Sequence, residues 1–180
     1  MKKTVNLTRT DYPLDIPLLR DECIRMKKYS KPSLHRDHPA FQTVEHNVGW
    51  NVFRWNDIEF NSIPIPLSIR DDFESLYDDL NIRQFNPSPR FYYLPSGSYL
   101  PSHKDDGTQC SVNFLLSGTE ESIIVEGEHY TYTQGVLNTQ VLHSVDNRDG
   151  SSDRMLLKFS IFDNVYSEVV DSLPQLYTEL

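Results

Sequence analysis

Between Arg90 and Phe162 the sequence alternates short runs of β-branched and aromatic residues with tight turns, and this texture constrains the fold more than any other feature. Eight runs follow one another: Arg90–Leu94, Ser98–Pro101, Gln109–Leu116, Ser122–Glu126, His129–Thr133, Val136–Thr139, Val141–Val145 and Met155–Phe162. Gly97, Asp106-Gly107, Gly118, Gly127, Gly135 and the Asn147–Gly150 segment separate them. Strands this short and this closely spaced predict a sandwich, a jelly roll or a small barrel.

The first half of the chain has a different texture. From Leu14 to about Tyr29 the spacing predicts an amphipathic helix, with Leu14, Leu18, Ile24 and Met26 as its apolar positions. Arg25, Lys27 and Lys28 sit in its later part, where cations suit the helix dipole. A second helix is predicted from Ser68, as N-cap, to about Leu80, with Phe73, Leu76, Tyr77 and Leu80 on one face. Phe41–Glu45 and Trp50–Trp55 read as strands, and Tyr166–Leu180 as a short helix interrupted by Pro174. The expectation is one domain over 1–180, divided into an N-terminal supporting part (1–87), a β core (88–164) and a C-terminal segment (165–180).

Composition narrows the function classes. A net charge of −9 argues against a general nucleic-acid binder, which would carry a basic face. The two cysteines, Cys23 and Cys110, form no CxxC pair and suit a reducing compartment. No apolar stretch follows the basic Met1–Lys3 start, and none reaches transmembrane length. A soluble, acidic, cytoplasmic protein acting on a small molecule or on a peptide or protein is expected, without a nucleic-acid or membrane partner.

The chemistry concentrates in the β-rich part. His103 and Asp105 bracket one residue, so on an extended backbone they share a face and offer adjacent corners of a coordination sphere. A lone HxD triplet is weak, because six histidines and sixteen aspartates give about half a match by chance. A second triplet, His35-Arg36-Asp37, lies in a Lys/Pro-rich loop and reads as solvated. His143 follows His103 by forty residues, and Arg154 follows His143 by eleven. Singly, His143 also suits a hydrogen-bonded core histidine, and Arg154 a rim residue paired with Asp149 or Asp153. Together, two histidines and one aspartate form a facial triad with open positions, the donor set associated with non-haem Fe(II) oxygenases. Arg154 opens a strand that alternates Arg154, Leu156, Lys158 and Ser160 on one face with Met155, Leu157, Phe159 and Ile161 on the other. Its planar fork suits a carboxylate.

On these residues the sequence resembles the Fe(II)- and 2-oxoglutarate-dependent dioxygenases, over about Arg90 to Phe162. Tyr93…Gly97-Ser98-Tyr99…His103-Lys104-Asp105 is similar to the prolyl-hydroxylase lead-in. His143-Ser144-Val145-Asp146-Asn147…Arg154 is similar to the ending shared by prolyl hydroxylases and aspartyl/asparaginyl hydroxylases. The resemblance implies a mainly β (α+β) fold, a double-stranded β-helix (jelly-roll) barrel with N-terminal helices packed outside it. It implies His103, Asp105 and His143 as iron ligands and Arg154 as the anchor for the distal carboxylate of 2-oxoglutarate. Tyr93, then Tyr99, are the lead-in tyrosines it assigns to the cosubstrate, and Asn113 and Ser160 add polar contacts.

The implied reaction consumes O2, converts 2-oxoglutarate to succinate and CO2, and hydroxylates an unactivated C–H bond of an amino acid, peptide or protein side chain. A carboxylate at Asp105 favours hydroxylation over halogenation. Trp50, Phe53, Arg54, Trp55 and Tyr92 are the residues expected at the mouth, with Arg54 suited to a substrate acid. Two other classes fit the same residues: a cupin-like metal enzyme that does not use 2-oxoglutarate, and a non-catalytic jelly-roll interaction module.

Overall fold

The computed structural model describes residues 6–32, 51–53, 65–118 and 120–174. The expected 41–45 strand, the His35-Arg36-Asp37 triplet, and Trp50, Arg54 and Trp55 lie outside the described residues.

All eight runs of the second half form strands: β4 (Ser88–Leu94), β5 (Ser98–His103), β6 (Cys110–Leu115), β7 (Glu121–Val125), β8 (Glu128–Tyr132), β9 (Gln134–Asn138), β10 (His143–Asn147) and β11 (Arg154–Ile161). Three short strands precede them, β1 (Leu7–Arg9), β2 (Lys31–Pro32) and β3 (Asn51–Phe53). They assemble into two antiparallel sheets. One has seven strands in the order β1-β9-β6-β11-β4-β3-β2, the other four in the order β5-β10-β7-β8. The result is a double-stranded β-helix, as the family resemblance implies. β1 was not foreseen; it lies against β9 at Gly135, where a Cβ would stand 2.6 Å from the Thr8 carbonyl oxygen.

Strand alternation divides the interior into two layers. One face of the seven-stranded sheet carries Phe91, Tyr93, Val112, Phe114, Leu157, Phe159 and Ile161, which pack with the helices. The other carries Tyr92, Leu94, Leu115 and Leu156, which pack with Leu100, Val125 and Val145 of the four-stranded sheet. The site is built on this second, inter-sheet face.

Helix α1 (Ile16–Met26) begins where Asp15 accepts a hydrogen bond from the Leu18 N–H at 3.0 Å, with proline in the first turn where a missing N–H costs nothing. Its buried stripe is Leu19, Glu22, Cys23 and Met26, and Ile24 is 55 % exposed, so the expected apolar face is rotated. The buried carboxylate is met by Arg25 at 2.6 Å. α2 (Leu67–Asp79) starts two residues early, with Pro66 rather than Ser68 at the cap, and buries Ile69, Phe73 and Leu76. α3 (Tyr166–Ser172) stops at Leu173, just before Pro174. Among the described residues no helix is long and apolar enough to cross a membrane. Burial pushes both thiols, Cys23 and Cys110, up to about 12, so they stay protonated and unreactive at neutral pH.

Candidate metal centre

His103 is the last residue of β5 and His143 the first of β10, and the two are Cα partners across the four-stranded sheet. A register shift between His143 and Val145 marks a local irregularity beside the site. The two rings come within 4.4 Å, centroid to centroid. After His103 the chain turns, and the loop carrying Asp105 is tied down from below. The Asp105 N–H donates to the Thr139 carbonyl at 2.9 Å, and the Gln140 side-chain amide donates to the carbonyls of Asp105 (3.0 Å) and Thr108 (2.6 Å).

Three side chains thereby converge. Nε2 of His103 lies 3.3 Å and Nε2 of His143 lies 3.4 Å from the same carboxylate oxygen, Asp105 Oδ1. On its other nitrogen each ring meets the carbonyl two residues earlier: His103 Nδ1 the Pro101 oxygen at 2.8 Å, His143 Nδ1 the Val141 oxygen at 3.0 Å. Such contacts place the proton on Nδ1 and turn a lone pair on each Nε2 inward, the tautomer a metal requires. Both rings are buried, and the three ligand atoms lie within 4.8 Å of one another. His129 is exposed and takes no part.

The remaining oxygen, Asp105 Oδ2, accepts a 2.7 Å hydrogen bond from Lys158 Nζ. Burial by itself would raise the Asp105 pKa. The Lys158 ammonium opposes it, and the carboxyl is held well below its usual range. Burial likewise pulls Lys158 towards neutrality, but Asp105 prevails and its pKa is raised. The Lys158 ammonium also stands 5.4 Å from the centre of the Tyr92 ring. Sequence reasoning put Lys158 on the same face as Arg154 and gave it no task; strand alternation carried the signal.

Arg154 is buried at the far end of β11, four residues and about 13 Å along the strand from Lys158. It pairs with neither Asp149 nor Asp153; its Nε lies 2.7 Å from Glu121 Oε2, and its Nη1 donates to the Ser122 carbonyl at 2.7 Å. Tyr132, fully enclosed beside Arg154 and Asn113, has its phenol pKa raised by that burial. Asp153 instead meets Lys27.

The lead-in tyrosines fall elsewhere. Tyr93 points to the helix side of the sheet, where its hydroxyl donates to the Cys23 carbonyl. Tyr99 stacks under Arg148, 5.0 Å from the guanidinium. Neither is brought to the triad; Tyr92, one residue from Tyr93, faces the interior because alternation turns it there. Asn113 and Ser160 do lie on the interior face, Asn113 as the cross-strand neighbour of Lys158.

No protein-family model matches the chain, and no curated protein matches it. Among solved structures the chain is similar to a Pseudomonas putida prolyl-4-hydroxylase, with a TM-score of 0.60 and 18% identity over 88% of this chain and 94% of that one. It is also similar to a Trichoplax adhaerens prolyl hydroxylase in complex with a hypoxia inducible factor oxygen degradation domain peptide fragment. There the TM-score is 0.52 and the identity 15%, over 93% of this chain and 86% of that one. At these identities the likeness is one of fold.

Proposed function

We propose that the chain is a non-haem Fe(II)- and 2-oxoglutarate-dependent oxygenase that hydroxylates a C–H bond of an amino acid, peptide or protein side chain. One observation carries this reading: two buried Nε2 atoms, each with its Nδ1 committed to a backbone carbonyl, converge within 3.4 Å of one oxygen of Asp105. Two imidazoles and one carboxylate that converge on one point fit a divalent iron and leave open positions. His103, Asp105 and His143 would hold it, and the bound iron supplies O2 activation, with 2-oxoglutarate as the co-reductant that leaves as succinate and CO2.

The chain's own residues bind, orient and exclude water. Lys158 holds Oδ2 of Asp105, which keeps the carboxylate to a single coordinating oxygen and preserves an open position. Arg154 is the buried cation for the distal carboxylate, with Tyr132 beside it in the place first expected for a lead-in tyrosine. The apolar groups Tyr92, Leu100, Leu115 and Leu156 line the space between the sheets and keep it dry.

The Arg154–Glu121 pair favours a second reading, a metal enzyme on the same scaffold that uses no 2-oxo acid, because part of the anchor's charge is already met. Succinate release separates the two. Anaerobically Fe(II)-loaded protein given 2-oxoglutarate and then O2 is expected to form succinate. Glu121→Gln should bind 2-oxoglutarate at least as tightly as wild type, and adding Arg154→Ala to it should weaken that binding on the order of 100-fold. Iron-loaded protein that forms no succinate, or a double variant with unchanged affinity, rejects the 2-oxoglutarate assignment.

A further inference from the structure

The sheet register places a grid of polar residues beside the candidate metal centre. Across the adjacent strands β4, β11 and β6, Ser88 pairs with Ser160 and Ser160 with Ser111; one step along, Arg90 pairs with Lys158 and Lys158 with Asn113. All six share the parity of Tyr92, Leu94, Leu115 and Leu156, so all belong to the face between the sheets. Four of their polar atoms are buried without a hydrogen-bond partner: Ser111 Oγ, Ser160 Oγ, Asn113 Oδ1 and Arg90 Nε. Ser111 and Ser160 are themselves 0 % exposed. A buried hydroxyl left unpaired costs about 1–3 kcal/mol, and two side by side on one wall mark a place where something else completes the bonding.

Charge indicates what that is. Arg90 has no acidic partner among the described residues; its guanidinium lies 5.5 Å from the centre of the Phe162 ring, just past the end of β11. Among the described residues two cations, Arg90 and Lys158, thus face this wall against the one carboxylate of Asp105. A divalent metal deepens the imbalance, and the two carboxylates of a bound 2-oxoglutarate do not remove it. Among the described residues this leaves an excess of positive charge, at Lys158 and at the partly buried Arg90, which a further anion would balance. The Lys158–Asp105 contact of 2.7 Å joins the grid to one of the candidate metal ligands.

We propose that Arg90, with Ser111 and Ser160, forms a carboxylate subsite for the molecule being oxidised, and that the substrate is a carboxylic acid. This rests on the oxygenase reading for its catalytic meaning, but the binding site stands on the grid itself. Ser160 thereby belongs to the substrate rather than to 2-oxoglutarate.

The test is binding to the full chain, saturated anaerobically with Fe(II) and 2-oxoglutarate, read by calorimetry. The probes are matched pairs of acid and primary amide: L-proline and L-prolinamide for an α-carboxylate, and N- and C-capped peptides with a central glutamate or glutamine for a side-chain acid. Acids are expected to bind at least 10-fold more tightly than their amides. Binding by L-proline alone identifies an α-carboxylate, and binding by the glutamate peptide identifies a side-chain acid. Arg90→Gln should remove the preference and Arg90→Lys should restore part of it, both with iron stoichiometry intact. Ser160→Ala should weaken acid binding yet leave the melting temperature of the ligand-free protein unchanged or higher, because its hydroxyl has no partner to lose. Equal binding of acids and amides, no binding by any acid, or full acid affinity in Arg90→Gln overturns the subsite. Acid binding that depends on Arg90 in a protein that forms no succinate supports the subsite and rejects the oxygenase reading.

Discussion

Replacing Asp105 with alanine is expected to abolish stoichiometric Fe(II) binding and to lower metal affinity by well over 100-fold. The carboxylate is the hub of the centre: one oxygen faces both imidazoles, and the other takes the Lys158 ammonium. Its removal deletes a ligand and leaves an uncompensated cation beside the metal position, so the loss exceeds the 10- to 100-fold typical of a supporting residue. The metal-free protein should suffer too. Both side chains of the Asp105–Lys158 pair are less than one-fifth exposed, and stranding one member of such a pair costs up to about 3–5 kcal/mol. Adding Lys158→Met should restore most of that stability without restoring metal. Iron analysis after anaerobic gel filtration and urea denaturation of the metal-free variants measure the two effects. Iron retained at one equivalent in Asp105→Ala would remove Asp105 from the ligand set.

The pair also fixes a pH window for the metal-free protein. Asp105 has a depressed pKa, so its contribution is present above the unfolded value of about 3.9 and is lost as pH falls towards the folded one. Lys158 has a raised pKa, so its contribution is complete below about 10.4 and is lost only as pH rises through the higher folded value.

Phe159→Ala is expected to cost about 3–5 kcal/mol of folding stability. The ring is wholly buried and meets three others edge to face: Phe73 at 5.0 Å, Tyr77 at 5.5 Å and Phe114 at 6.0 Å. It therefore joins α2 to the back of β11, whose opposite face carries Arg154, Lys158 and Ser160. A loss below about 1 kcal/mol by chemical denaturation would mean that this junction does not hold the helix layer to the sheet.

The parts of the molecule that strand alternation governs were legible in the sequence. The eight strands after residue 87 stand close to where the sequence sets them, although Gly135, read there as a turn, lies inside β9. The two faces of β11 divide as alternation dictates, with Leu157, Phe159 and Ile161 towards the helices and Leu156 towards the other sheet. His103, Asp105 and His143 meet because a short HxD spacing and a strand-opening histidine need only adjacent strands to come together. Tyr93 shows where local pattern fails. Tyr93 is the first choice of lead-in residue and Tyr99 the next, yet Tyr93 turns to the sheet's other surface, where Cys23 of α1 offers a carbonyl. The partner of Arg154 was equally hidden, since Glu121 arrives from the opposing sheet while the nearby Asp153 is drawn to Lys27. The face of α1 was misread because Ile24 is apolar by type but lies away from the sheet, while Glu22 is carried into the buried stripe and satisfied there by Arg25.

One measurement bears most directly on the centre: the visible spectrum of the anaerobic, Fe(II)-loaded full chain on addition of 2-oxoglutarate. A weak charge-transfer band that saturates at one equivalent, and is missing in His143→Ala, is the expected result. Iron bound at one equivalent with no band at saturating 2-oxoglutarate would contradict a triad that leaves room for a chelating 2-oxo acid.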